Sequence, residues 1–288
     1  MTEIQVTPST PKSGNESALP GVNVLLMGPT GTGKTHSIGT LIDTGITVVY
    51  MAFESGTESL LGYYADRGLP IPPNLHICTV KAAAATWDNM AESVKNVNQM
   101  SYEMLKKTTD GARSKYNQLE QFLRNFSNVV TDAGVKLGPI DAWGPNMALV
   151  VDGLNGLGDA AKKAVVGGKF DMDQKDWGLA QNMVEGTVRR LCDNCRCHFV
   201  LLAHVERETD PTFGTSKITV SAPGAKLAPK IPAMFSDVIM ATRLGKDFWW
   251  DTANPLADLK TRNLPLDSKI LPTFAQIIKK WQGRGGVL

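Results

Sequence analysis

GPTGTGKTHSIGTLID, residues 28–43, decides how the rest of this chain is read. The stretch fits Gly28-x-x-x-x-Gly33-Lys34-Thr35 in full. The apolar run VNVLLM (22–27) precedes it, and a helical pattern stopped by Gly45 follows. Glycines at this spacing let backbone N–H groups turn inward as an anion nest, and the following helix adds the positive end of its dipole. The reading is a phosphate-binding loop built from Gly28, Pro29, Thr30, Gly31, Thr32 and Gly33, with Lys34, Thr35 and His36 opening the helix. Lys34 is expected to reach the β- and γ-phosphates of ATP and Thr35 to hold Mg²⁺.

Outward from the loop, short apolar runs alternate with helical patterns. ITVVYMAF (46–53), MALVV (147–151) and HFVLLA (198–203) read as strands buried on both faces. Between the last two, DWGLAQNMVEGTVRRLCDN (176–194) repeats its apolar residues at helical steps. That alternation predicts an α/β fold with a mostly parallel central sheet flanked by helices. VIMATR (238–243), DFWWDT (247–252) and DLKTR (258–262) read as late strands, and TFAQIIKKWQ (273–282) as a final helix. Over 86–132 apolar residues recur every three or four positions around an Asp110-Gly111 break, which predicts a helical hairpin inserted into the core. The domain division is a flexible tail over 1–19, polar and rich in Ser, Thr, Pro and Gly, and a single ATPase domain over 20–288.

Composition sets loose bounds. The 288 residues are 42% hydrophobic and 20% charged, ordinary for a globular chain. No run of about 18 apolar residues exists, so no membrane partner is expected and the cytoplasm is the default location. Net charge is only +2, yet residues 151–288 carry 19 Lys and Arg against 15 acids, whereas 1–150 carry 11 against 13. If an anionic polymer is bound, the later half is its expected host; the net charge itself neither demands nor excludes one. Cys192, Cys195, Cys197 and His198 crowd into seven residues. They lack a second ligand pair at zinc-site spacing, which favours core packing over a metal.

Asp152 ends the run ALVVD, where a strand tip beside the P-loop strand would present a carboxylate to Mg²⁺. Glu54 follows VVYMAF. Should that strand neighbour the Asp152 strand, Glu54 would orient or deprotonate an attacking water. His204, at the tip of HFVLLA, is the matching polar tip for sensing a γ-phosphate. A small-molecule kinase would leave Glu54 without a task.

The order of these motifs, with VVYMAFESGTESLLGYYADRGL and GLAQNMVEGTVRRL between them, resembles bacterial RecA. It is most similar to the minimal RecA-like ATPases of bacteriophages, the single-strand-annealing or Sak-type group, over about 20–262 without the hairpin. The resemblance implies a RecA-like ATPase core and an ATP-dependent single-stranded-DNA-binding recombinase or annealing protein, in host cytoplasm if phage-encoded. It implies DNA-holding loops after the Asp152 strand and after the His204 strand, here about 157–175 with Lys162, Lys163 and Lys169, and 205–226 with Arg207, Phe213 and Lys217. It also implies a homo-oligomer, filament or ring, in which Lys260 and Arg262 reach the neighbouring subunit's γ-phosphate. Tyr63 or Tyr64 is where an adenine contact is sought. A single-strand-binding or replication protein is a further partner class. The alternatives are a ring helicase, a KaiC-like regulatory ATPase, or a nucleotide-gated scaffold that recruits its partner through 86–132.

Overall fold

The computed structural model describes residues 19–53, 56–80, 86–107, 117–167, 172–209, 216–224 and 226–288. The chain opens with β1 (Asn23–Met27), α1 (Lys34–Ser37), α2 (Gly39–Ile42), β2 (Thr47–Ala52), α3 (Thr57–Ala65) and β3 (Leu75–Thr79). Next come α4 (Trp87–Asn98), α5 (Tyr102–Lys107), α6 (Gln118–Asn125), β4 (Val129–Val130) and β5 (Lys136–Gly138). The second half holds β6 (Met147–Asp152), α7 (Leu154–Val166), α8 (Gln174–Asn194), β7 (His198–Ala203), β8 (Val205–Thr209) and β9 (Ser216–Val220). It ends with α9 (Lys230–Met234), β10 (Asp237–Leu244), β11 (Asp247–Asp251) and α10 (Phe274–Gln282).

The main sheet runs β11-β10-β1-β7-β6-β2-β3, parallel throughout except for the β10–β11 hairpin. Its strands are apolar on both faces because helices cover both. In β2 the alternation divides the side chains: Val49 and Met51 enter one core, Val48, Tyr50 and Ala52 the other. The first core packs α6, α7 and α8; the second packs α2, α3 and α10.

Four expectations change. The Asp152 strand is not beside the P-loop strand, because β7 lies between them. All six β7 residues are buried, so this strand takes the central place where both faces are covered. DLKTR forms only a single bridge, Lys260 to Val238. Instead of continuing a ladder, the amides of Arg262 and Asn263 donate to the buried Asp237 carboxylate, and the chain turns around it. The segments expected as loops are largely ordered elements: Lys162 and Lys163 lie on α7, and 205–220 forms the β8–β9 hairpin around residues outside the described set.

The region 86–132 divides rather than standing off as one hairpin. α6 is core, with Leu119 and Phe122 buried against the sheet, whereas α4 and α5 leave Trp87, Met90, Val94, Val97, Tyr102 and Met104 exposed. The Asp110-Gly111 break and the tail over 1–18 lie outside the described residues. No described helix is long and apolar enough to cross a membrane.

Candidate functional site

Strand register assembles the site. Met27 pairs with Ala203, Leu202 with Asp152, and Asp152 with Ala52, so the carboxyl ends of β1, β7, β6 and β2 share one rim. Open α/β sheets bind ligands outside that rim. On it stand Gly28, His204 and Asp152, each immediately at or after its strand end. The adjacency of β2 and β6 on which the Glu54 reading depends is present. Glu54 and Ser55 themselves lie outside the described residues.

The loop needs its glycines for different reasons. Gly31 and Gly33 have φ of 76° and 78°, a region that side chains with a Cβ rarely occupy. Gly28 is instead required by proximity, since a Cβ there would meet the Ala241 carbonyl oxygen at 2.4 Å. Thr32 Oγ1 closes the loop by donating to Pro29 O at 2.8 Å. Lys34 is folded back across the same loop, its Nζ donating to Gly28 O at 2.8 Å and Pro29 O at 2.9 Å. The ammonium is thus already aimed into the nest. α1 and α2 continue one helical path, tightened at Ile38, whose N–H bonds to Thr35 O.

Thr35 Oγ1 donates to Asp152 Oδ2 at 2.9 Å. A residue of the P-loop helix and one at the tip of β6, 117 positions apart, therefore share one spot. A hydroxyl and a carboxylate together are hard oxygen donors suited to Mg²⁺. Tyr50 also donates to Asp152 Oδ2, from the buried middle of β2. This residue escaped the sequence reading. Its only signal was a polar-tipped aromatic within an otherwise aliphatic buried strand. Gly56 caps the arrangement, where a Cβ would lie 3.0 Å from Asp152 Oδ2.

A cavity of about 640 Å³ opens on the helix side of the loop, lined by His36, Thr40, Tyr63, Arg67, Phe248 and Thr273 among others. Phe248 would lie 3.1 Å from a Cβ at Gly33. Tyr63 donates to Asp43, stands edge-on to His36 at 5.0 Å, and carries the Arg67 guanidinium 3.7 Å above its ring. Burial and then the Arg67 charge push the His36 pKa down. The volume suits a drug-sized or nucleoside ligand. Tyr64 places its hydroxyl 3.3 Å from Gly39 O and does not line the cavity, so of the two tyrosines Tyr63 faces it.

His204 is half-buried at the rim, and its carbonyl accepts from Ser221 N at 2.8 Å. From there a relay runs sideways. Asn155 Nδ2 donates to Ser221 Oγ at 2.8 Å, and Ser221 Oγ donates to Glu206 Oε1. It links the segment after Asp152 to the hairpin after His204.

The remaining expected residues are dispersed. Lys260 and Arg262 lie at the start of β10, beside Asp237, the opposite end of the sheet from the loop. Lys260 Nζ donates to Ala233 O at 3.0 Å, and burial and then the Arg262 charge depress its pKa. They do not reach the P-loop of their own chain. Lys162 pairs with Asp159 at 2.5 Å and Lys217 with Asp258 at 2.6 Å, while Lys163 is exposed. Lys169 and Phe213 lie outside the described residues. Cys192, Cys195 and Cys197 are buried in the first core, and His198 turns to the other face, accepting from Val22 N and packing on Trp281.

No protein-family model matches the chain, and no curated protein does. Among solved structures, it is similar to the RadB recombinase at 12% identity, over 88% of this chain and 90% of that one, with a TM-score of 0.40. It is also similar to the flagellar accessory protein FlaH from Methanocaldococcus jannaschii, at 10% identity over 81% and 77%, with a TM-score of 0.33. The α/β class expected from the sequence, a mostly parallel sheet between helical layers, is the fold observed.

Proposed function

We propose that this protein is an ATPase of the RecA-like kind, converting ATP and water to ADP and phosphate, and that nucleotide state sets its grip on single-stranded DNA. The observation that carries the nucleotide half is the Thr35–Asp152 hydrogen bond at the loop mouth. It joins the P-loop hydroxyl to a strand-tip carboxylate, the pair that nucleoside triphosphatases use around Mg²⁺. Thr35 and Asp152 would hold Mg²⁺ there, and the ion would neutralise charge on the β- and γ-phosphates.

The chain's own residues supply the rest. Lys34 exchanges its two carbonyl acceptors for phosphate oxygens, so its charge needs little reorientation on binding. The 30–33 amides hold the phosphates and exclude water from them. The base enters the cavity walled by Tyr63 and Phe248. Glu54, which follows β2 in the sequence, orients the attacking water and accepts its proton. His204 reads the γ-phosphate and passes its presence to the hairpin that begins at Val205.

The DNA half rests on the sequence resemblance to Sak-type phage recombinases, with Arg207, Phe213, Lys163 and Lys169 as contacts, while Lys162 and Lys217 are paired with carboxylates. Lys260 and Arg262 then act on a neighbouring subunit, in a filament or ring, since their own loop is at the other end of the sheet. The test is the ATP hydrolysis rate across protein concentrations, with and without an unstructured single-stranded oligonucleotide. The expected result is a rate per subunit that rises with concentration and rises again with DNA. A low rate indifferent to both overturns the recombinase reading.

One observation favours a second reading. Trp87, Met90, Val94 and Val97 lie three or four positions apart along α4 and are all exposed, Trp87 at 83%. A stripe of this kind suits a nucleotide-gated scaffold docking a replication partner. Deleting 86–107 would then abolish partner binding and leave nucleotide hydrolysis intact.

A further inference from the structure

The tip of the phosphate loop has two sides. One holds Lys34 and Thr35. The other faces a second cavity of about 620 Å³, bounded by Pro29 to Thr32, by Arg207 and Ile218 of the β8–β9 hairpin, and by Thr242 and Arg243 at the end of β10. Neither Lys34 nor Thr35 lines it.

Its charge comes from arginines. Glu206 lies on the wall, but its carboxylate accepts the Ser221 hydroxyl and is engaged toward α7. Arg243 is placed by its neighbours: Nε donates to Gly245 O at 2.8 Å, and the guanidinium stacks 5.3 Å from the Phe248 ring centre. That commits one of a guanidinium's five donors and fixes its plane. The lysines expected to hold DNA present a contrast, since Lys162 and Lys217 each already pair with a carboxylate.

We propose that this cavity seats the phosphodiester backbone of single-stranded nucleic acid, clamped between Arg207 and Arg243 against the outer side of the P-loop. The inference deepens the reading above and rests on it for the partner. Two guanidiniums on separate elements offer two phosphate seats, because each fork can take two oxygens of one phosphate group. Sequence-tolerant strand binding needs a cationic track of this kind. The arrangement also supplies a coupling route. Residues 29–32 line this cavity and belong to the loop proposed to hold the nucleotide's phosphates, so nucleotide on one side and polymer on the other bias the same backbone. Phe248 adds a second link, lining the base cavity while stacking on Arg243.

The test is fluorescence anisotropy of a labelled thymidine oligonucleotide against salt concentration, for wild type, Arg243→Gln, Arg243→Lys, Arg207→Gln and Lys217→Gln. Losing one phosphate contact lowers the slope of log affinity against log salt by about 0.7. Arg243→Gln and Arg207→Gln are each expected to show that loss with a several-fold weaker affinity, Arg243→Lys to keep the slope, and Lys217→Gln to keep both. Arg207→Gln, on a separate hairpin, carries the test if Arg243→Gln fails to fold. Unchanged slope and affinity in either Gln variant that folds overturns the proposal. Mg·ADP and Mg·ATP affinities are measured alongside. A fall of more than about tenfold for Mg·ATP alone in Arg243→Gln, about 1.4 kcal/mol, would make Arg243 a γ-phosphate ligand and also overturn it. Wild type that binds nucleotide but no oligonucleotide at low salt removes this proposal and the DNA half of the function, and spares the nucleotide half. Wild type that binds oligonucleotide but no nucleotide does the reverse.

Discussion

The hydroxyl of Tyr50 and the hydroxyl of Thr35 donate to the same oxygen, Oδ2 of Asp152. Asp152 is thus oriented from the sheet interior before any ligand arrives. Partners that orient a metal-binding carboxylate typically alter metal affinity about 10–100-fold when removed. Tyr50→Phe is expected to weaken the Mg²⁺ dependence of nucleotide binding within that range, and to cost about 1–3 kcal/mol of stability from the buried acceptor left short. Magnesium titrations at fixed nucleotide, with urea unfolding alongside, measure both.

Glu54→Gln keeps the shape of the side chain and removes its capacity to accept a proton. The expected outcome is retained Mg·ATP affinity with turnover reduced by about 10²–10⁴. Unchanged turnover would remove Glu54 from the mechanism. Lys34→Ala differs in kind, since it is expected to lose nucleotide affinity itself.

Gly28→Ala tests the close approach of β10 to the loop. The added Cβ would meet Ala241 O at 2.4 Å, a backbone atom that cannot swing aside. About 1–3 kcal/mol of destabilisation is expected, with the β10 end displaced and nucleotide binding weakened. Thermal unfolding and equilibrium dialysis read the two effects.

A shared active site predicts complementation. Lys34→Ala and Arg262→Ala subunits are each expected to be inactive alone. Mixed at random in an oligomer, about a quarter of the sites combine an intact loop with an intact neighbour. Recovery of hydrolysis on mixing supports the shared site. Its absence, in a mixture shown to co-assemble, leaves Lys260 and Arg262 as the structural braces that the Ala233 and Asp237 contacts already make them.

Acid sensitivity should centre on His198. Burial pushes its pKa down to about 4 from the usual 6.5. The folded state therefore binds its proton less readily than the unfolded state. Stability is unaffected by this group above pH 6.5 and falls as pH drops from there toward 4, by up to about 3 kcal/mol. Urea midpoints at pH 7 and 5 measure the loss, and His198→Asn should flatten it.

The sequence by itself determined the local chemistry. The loop 28–35, the doubly buried strands and the helix over 176–194 were legible because each is set by neighbours in the chain: glycine spacing, an unbroken apolar run, a 3.6-residue period. Asp152 was legible because a carboxylate closing an apolar strand stands out locally. The β2–β6 adjacency that Glu54 requires could only be posed as a condition, and strand order met it. Tertiary structure alone decided the rest, since those facts depend on residues far apart in sequence. It put β7 between the two motif strands and brought Tyr50 to Asp152 across 102 positions. It drew DLKTR around Asp237 instead of into a ladder, and paired Lys162 and Lys217 with carboxylates. It also set Arg243, an unremarked strand residue, across a cavity from Arg207. Periodicity fixes which face a side chain takes; which partner it meets there depends on strand order, which long-range burial selects.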